Sequence, residues 1–355
     1  MIKALVVEDS LAKREFLIQI LNSDPEIEVV GSASDGEEAV MAVKQKAPDV
    51  ITMDIHMPKL NGFDATRKIM ENNPTPIVIV SGSSSSEEIA TTFHALESGA
   101  LAVLRMPAGI GHPDHEAAVR ELIQTVKLMS EVKVVRRWPQ TQHKISLDSQ
   151  GVSKSLEVEK IRTDIQIIAI GASTGGPIAL QKMLSQLPQN FSVPVVIVQH
   201  IGEGFVRGFA EWLSNSSNIR INIAVDGELL LPGKAYLAPD GFHLAVTNGG
   251  RIALHNEKPE NGLRPSVSHL FRSVIKAYGK HAAGVLLTGM GKDGAEELRQ
   301  MKELGAITIV QDKESCVVFG MPGEAIKLDA ATYIFSPEKI AQALISIVGK
   351  NKVRK

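Results

Sequence analysis

"IIAIGASTGGP", residues 167–177, sets four apolar residues directly before a serine bracketed by glycines, and a proline follows. A short apolar run closed by glycines reads as a buried strand that enters a tight turn and then a helix. The pattern recurs downstream in "VPVVIVQH" (193–200), "AAGVLLTG" (282–289) and "AITIVQD" (306–312). Between the first and second of these, "KAYLAPDG", "FHLAVTN" and "GGRIALH" (234–255) read as short antiparallel strands with an Asn-Gly turn at Asn248 and Gly249. Upstream, "KALVV", "DVITMD", "PIVIVSG" and "LAVLRMP" read as buried strands separated by amphipathic stretches at 12–22, 36–46 and 62–72. Strands that alternate with helices imply parallel, doubly wound sheets. The stretch 129–163 is polar, charged and aperiodic, which is the signature of a linker. The expected organisation is two α/β domains, 1–128 and 164–350: an amino-terminal (βα)5 unit, and a doubly wound, mainly parallel sheet with an antiparallel hairpin.

Composition excludes several function classes. The 355 residues carry 38 basic and 40 acidic side chains, so no bulk charge points to nucleic acid or to an anionic membrane. Aromatics at 4% are too sparse for a base-stacking surface. The single cysteine, Cys316, leaves no internal disulfide framework and suits a reducing compartment. No apolar run approaches the roughly 18 residues of a membrane span, and the first residues enter a strand pattern at once. A cytoplasmic protein without membrane insertion is the expectation.

In open α/β sheets, ligands gather at the carboxyl ends of the strands. In the first domain those ends bear Glu8 and Asp9, Asp54, Ser81 and Arg105. Clustered carboxylates repel one another and favour a hard divalent cation, for which Mg²⁺ is the natural choice. A hydroxyl and a cation around the same point complete a cradle for a phosphoryl group on Asp54. Helix capping accounts for any one of these residues but not for all five strand-end positions together. The motifs "VVEDS", "VITMDIHMPKLNGFD", "VIVSG" and "LAVLRMP" resemble the receiver domain of response regulators. That resemblance implies phosphorylation of Asp54, Mg²⁺ held by Glu8, Asp9 and Asp54 with the carbonyl of His56, and Ser81 as switch hydroxyl. Arg105 stands where the family usually has lysine, and Ala102 where an aromatic switch residue is often found.

"GASTG" (171–175) fits the strand-turn-helix serine motif G-x-S-x-G, whose turn lifts the hydroxyl above the sheet. A dinucleotide fingerprint would need glycine where Ser173 stands, and a phosphate loop would need a following Gly-Lys-Ser/Thr. A plain helix cap, with Pro177 near the helix start, remains the simplest rival. A nucleophilic serine requires a base and an acid that orients it. Of the five histidines from 164 onward, His200 alone directly ends a buried parallel strand. Asp293 lies in the glycine-rich "TGMGKDG" after another strand. The order Ser, His, Asp differs from the Ser, Asp, His of α/β-hydrolases. The Thr174 amide, at a helix start, suits a developing oxyanion. Cys316 has no neighbouring histidine in the sequence and reads as an inert thiol.

"AIGASTGGP", "VVIVQHIGEGF", "YLAPDGFHL", "RPSVSHLFRS", "LLTGMGKDGAEEL" and "VVFGMPGEAI" resemble the catalytic domain of the chemotaxis protein-glutamate methylesterases, the CheB family, from 166 to about 347. The resemblance implies Ser173 as nucleophile, His200 as base and Asp293 as its orienter, with the Thr174 and Met290 amides as oxyanion donors and no cofactor for ester hydrolysis. It implies γ-glutamyl methyl esters of chemoreceptors as substrate, possible deamidation of receptor glutamines, and a receiver that covers the site until a chemotaxis histidine kinase phosphorylates it. "IGEGF" lacks the proline common after the histidine, and Ser268 stands where aspartate is frequent. Two other classes compete. A receiver joined to a DNA-binding output would show a helix-turn-helix and a basic recognition helix. A receiver-controlled adaptor of a non-flagellar chemosensory pathway would keep the fold and lose the triad.

Overall fold

The computed structural model describes residues 1–82, 86–134 and 164–348. Of the stretch read as a linker, 135–163 lie outside the described residues, as do 83–85 and the last two residues of 164–350.

In the first domain strands and helices alternate strictly: β1 (Ile2–Val7), α1 (Leu11–Asn22), β2 (Ile27–Ala33), α2 (Gly36–Lys46), β3 (Val50–Met53), α3 (Gly62–Asn72), β4 (Ile77–Ser81), α4 (Ser86–Ser98), β5 (Ala102–Arg105) and α5 (His115–Ser130). All pairs in the sheet β2-β1-β3-β4-β5 are parallel. Helices cover both faces, so β3 and β4 are buried at every residue and read as continuous apolar runs. Helix starts are set by side chains: Asp35 accepts from the Glu37 and Glu38 amides at α2, and Asn61 from the Asp64 amide at α3. Helix α5 runs two residues beyond 128, into the stretch read as linker.

The second domain continues with β6 (Ile167–Ala172), α6 (Gly176–Leu184), β7 (Val195–Gln199), α7 (Val206–Ser216), β8 (Arg220–Ile223), β9 (Lys234–Leu237), β10 (His243–Val246), β11 (Ile252–His255), α8 (Val267–Tyr278), β12 (Ala282–Leu286), α9 (Ala295–Glu303), β13 (Ile307–Gln311), α10 (Met321–Lys327), β14 (Tyr333–Phe335) and α11 (Pro337–Val348). Seven strands form the parallel sheet β14-β13-β12-β6-β7-β9-β8. One expectation is corrected here. "KAYL" is not antiparallel; it is β9, inserted in parallel between β7 and the edge strand β8. The antiparallel hairpin is β10 with β11 alone, closed by the bond from the Gly250 amide to the Thr247 carbonyl. The chain leaves β6 toward β7 on one side and returns to β12 on the other. The crevice of an open sheet opens at such a reversal, directly above the end of β6.

The two domains touch through α4 and α7. Phe93 of α4 lies with its ring centroid 6.2 Å from Phe205, 5.3 Å from Phe209 and 5.6 Å from Trp212. All four rings are almost fully buried, so the contact is a continuous apolar core and not a wet interface. Glu97 of α4 accepts from Trp212 Nε1 and Gln181 Nε2 at its margin. Among the described residues, no helix is long and apolar enough to cross a membrane.

Candidate active site and phosphorylation site

Ser173 follows β6 at the reversal point. The turn is closed by the Gly176 amide donating to the Ser173 carbonyl, and it needs the left-handed conformation of Gly175, at φ +78°. Helix α6 starts after Gly175 without any side-chain cap, so Ser173 does not cap it. The simplest rival reading of this serine therefore loses its support. His200 follows β7, the neighbouring strand, and its amide donates to the Ala172 carbonyl at 2.9 Å. The backbones that carry the two residues are thus stitched together. Gln199 adds a second stitch, because its Nε2 donates to the carbonyls of both Ser173 (2.8 Å) and His200 (2.7 Å).

Asp293 reaches the same edge from the loop between β12 and α9. Its Oδ2 accepts from His200 Nε2 at 2.9 Å and from the Val267 amide at 2.7 Å. Its Oδ1 accepts from Ser266 Oγ and the Ser268 amide, both at 3.0 Å. The two amides open α8, so the carboxylate sits on the positive end of a helix. Burial alone would raise its pKa, but the His200 and Ser268 contacts outweigh that and hold the carboxyl well below the usual carboxylate range. Asp293 is therefore a fixed anion that occupies Nε2 of the imidazole and leaves Nδ1 for other work. Among the described residues, neither the Thr174 nor the Met290 amide donates to a protein acceptor. Burial pushes the Cys316 thiol up to about 12, in keeping with an inert group.

Ser268, singled out for its departure from the family pattern, is buried behind Asp293: it donates to Glu297 Oε2 at 2.7 Å and accepts from the Gly294 amide. Ser266 and Gln199 went unread, and Ser268 was noted without a role, because their part in the site depends on packing between distant segments. The signal available for Ser266 was its place as a serine at a helix start, where it caps α8.

In the first domain, Glu8, Asp9 and Asp54 bring carboxylate oxygens within 4.8 Å of one another. Burial and the Asp54 charge push Glu8 up to about 7, and burial likewise raises Asp54. Carboxylates that resist ionisation together are what a divalent cation relieves, so the donor set fits Mg²⁺. Ser81 is fully buried at the end of β4, paired in register with Arg105 on β5. His56 is exposed beside Asp54. The Arg105 side chain donates to the Glu203 carbonyl, 3.3 Å away in the loop after His200. A cation that acts on the acidic group is Lys13 of α1, with Nζ 3.8 Å from Glu8 Oε1 and a charge that lowers both Glu8 and Asp54. Reading only strand ends overlooked it.

The first domain also packs against segments next to the serine site. Val317 and Val318 pack with Leu104, Leu122 and Val126 of the first domain. Thr288 Oγ1 accepts from the Val318 amide and donates to the Thr174 carbonyl. Crowding around the carboxyl of Glu121 on α5 raises its pKa, and His200 lies near enough to oppose that rise.

Known proteins resemble this chain in both domains. The CheB methylesterase family model matches residues 168–344, and the response regulator receiver domain model matches 4–110. A protein-glutamate methylesterase/protein-glutamine glutaminase of Nitrosospira multiformis is 57% identical over 99% of this chain and 98% of its own. One of Geobacter metallireducens is 53% identical over 98% and 99%. The crystal structure of the Thermotoga maritima CheB methylesterase catalytic domain, 39% identical, superposes with a TM-score of 0.50 over 52% of this chain and 99% of that one.

Proposed function

The chain belongs to the CheB methylesterase family, and on that premise we propose that it hydrolyses γ-glutamyl methyl esters on chemoreceptors, in the cytoplasm, under control of Asp54 phosphorylation. The observation that carries this reading is the bond from His200 Nε2 to a buried, four-fold hydrogen-bonded Asp293, beside a strand-end serine that caps nothing.

With Nε2 committed to Asp293, the Nδ1 atom of His200 takes the Ser173 proton as Oγ attacks the ester carbonyl. The Thr174 and Met290 amides receive the oxyanion. Collapse of the tetrahedral intermediate breaks the bond to the methoxy oxygen, His200 returns the proton, and methanol leaves. Water, deprotonated by His200, then attacks the acyl-serine and releases the glutamate side chain and free Ser173. A glutamine side chain enters the same sequence with ammonia as leaving group, which would make receptor glutamines substrates as well. Ester hydrolysis by these residues draws on no cofactor.

Phosphorylation of receiver domains depends on Mg²⁺, which neutralises phosphoryl oxygens during transfer from a histidine kinase. Here Glu8, Asp9, Asp54 and the His56 carbonyl would hold it. Asp54 accepts the phosphoryl group, Ser81 and Arg105 respond to it, and Lys13 balances the local charge. Arg105 couples the two sites in this reading, since its guanidinium stands at a strand end of the first domain while it donates to Glu203 of the second. Methanol release from methyl-labelled receptor membranes tests the function directly. A Ser173→Ala chain that keeps a tenth of wild-type turnover would remove the nucleophile assignment, and a wild-type chain that releases no methanol would remove the function.

A further inference from the structure

Asp293 is held by two serines, and each serine faces a carboxylate from elsewhere in the fold. Ser268 Oγ donates to Glu297 of α9, and Ser266 Oγ lies 3.5 Å from Glu260 Oε2. One guanidinium joins those carboxylates: Arg272 donates through Nη1 to Glu297 Oε1 at 2.8 Å and through Nη2 to both oxygens of Glu260. Arg272 stands one helical turn after Ser268 on α8, so both reach the same side of the helix. Glu260 is further fixed by His269 Nδ1 at 2.9 Å.

We propose that Arg272 is a positioning residue for the esterase reaction, which clamps Glu297 and Glu260 so that Ser268 and Ser266 hold Asp293 against His200. The clamp reaches Asp293 in two ways. Glu297 accepts the hydrogen bond of the Ser268 hydroxyl, which turns that oxygen's lone pair toward the Gly294 amide and locks the loop that carries Asp293. Ser266 has one proton and gives it to Asp293, because Glu260 is already satisfied by Arg272 and His269. A planar guanidinium with two diverging donor pairs can bridge two carboxylates, whereas an ammonium on a flexible stem cannot reproduce that geometry.

The proposal rests on the hydrolase reading, and the test separates the two. Steady-state methanol release is measured on full-length wild type, Arg272→Met, the double variant Arg272→Met/Glu297→Gln, and Ser173→Ala. Arg272→Met leaves Glu297 buried and uncompensated, so kcat falls about tenfold at unchanged KM as Asp293 loses its alignment. Neutralising Glu297 removes that buried charge, so the double variant recovers part of the lost kcat, and Glu260, still without its guanidinium, keeps it below wild type. A wild-type kcat in Arg272→Met, or a double variant as slow as the single one, overturns the clamp. If Arg272→Met does not accumulate as folded protein, Ser268→Ala carries the test, since it keeps both ion pairs and cuts the relay. The same loss of kcat supports the proposal, and an unchanged kcat overturns it. An inert Ser173→Ala beside an unaffected Arg272→Met refutes the clamp alone, while an active Ser173→Ala refutes the hydrolase reading and the clamp with it.

Discussion

Replacing Gly208 by alanine should open the protein while stabilising the half that carries the mutation. Gly208 lies on α7 where α4 crosses it, and a methyl group there would sit 2.5 Å from Ile89 Cγ2 and 2.7 Å from the Ala90 amide nitrogen. The second of these is backbone, so no rotamer change relieves it and the helices must separate. Overpacking of this kind costs about 1–3 kcal/mol. Spent on the docking equilibrium, that lowers the docked-to-undocked ratio about 5- to 150-fold. In the catalytic domain by itself, from residue 164 onward, the three atoms nearest the methyl are gone, and losing a glycine inside a helix adds about 1 kcal/mol of stability. The assay is methanol release by unphosphorylated full-length protein, with the Tm of the isolated catalytic domain followed in parallel. The rate should rise toward that of the free catalytic domain, and the Tm of the truncated form should rise too. An unphosphorylated Gly208→Ala chain with wild-type turnover would refute the view that the α4–α7 contact holds the active site closed.

Ser173→Ala and His200→Ala should each lower methanol release by several orders of magnitude, with the double mutant hardly worse, because the two side chains act as one unit. Asp293→Asn should lower kcat as well, since an amide group cannot accept from the Val267 and Ser268 amides through both of its atoms. It also carries a stability signature. A carboxylate depressed in the folded state contributes stability in full above its unfolded pKa of about 3.9 and loses it as pH falls toward the folded value, so denaturation curves of wild type and Asp293→Asn should converge only below about pH 4. Asp54→Asn should remove the response to small phosphodonors while leaving basal turnover, a result read by comparing rates with and without donor. Because Glu8 is raised to about 7, Mg²⁺ must displace its proton below that value, and calorimetric Mg²⁺ affinity should climb as pH rises through 7; a flat profile would contradict the buried-carboxylate picture.

Strands buried on both faces were legible in the sequence, and so was the edge strand β5, but the edge strands β2 and β8 were not. β3, β4, β6, β7 and β12 stand as unbroken apolar runs because helices cover both sides of their sheets. β2 and β8 line sheet edges, are partly exposed along their length, and lack any such run. Missing β8 had a further effect: without its parallel partner, "KAYL" was grouped with the hairpin that follows it. The same physics governs the active site. Ser173, His200 and Asp54 announce themselves by following buried strands, so the topology of each sheet projects them to its carboxyl edge, Asp54 in the first domain and Ser173 with His200 in the second. Lys13, Ser266, Ser268 and Arg272 lie on helices or at helix starts, and their partners are 5 to 29 residues away in sequence. Arg105 was read at its strand end, but its bond to Glu203 crosses 98 residues and depends on domain docking that no local pattern encodes.

Trp212 is one of two tryptophans in the chain, and it is 1% exposed between Phe93 and Phe209 with its indole N–H on Glu97 of the receiver. Its environment is apolar and rigid only while α4 stays in place, because Phe93 and Glu97 both belong to the other domain. Separation of the domains would put water against the ring and shift its emission to longer wavelength, with quenching by added iodide to match. With Trp138 replaced by phenylalanine, the intrinsic fluorescence of this protein becomes a direct optical gauge of whether the receiver is seated, readable in the same cuvette in which the phosphodonor is added.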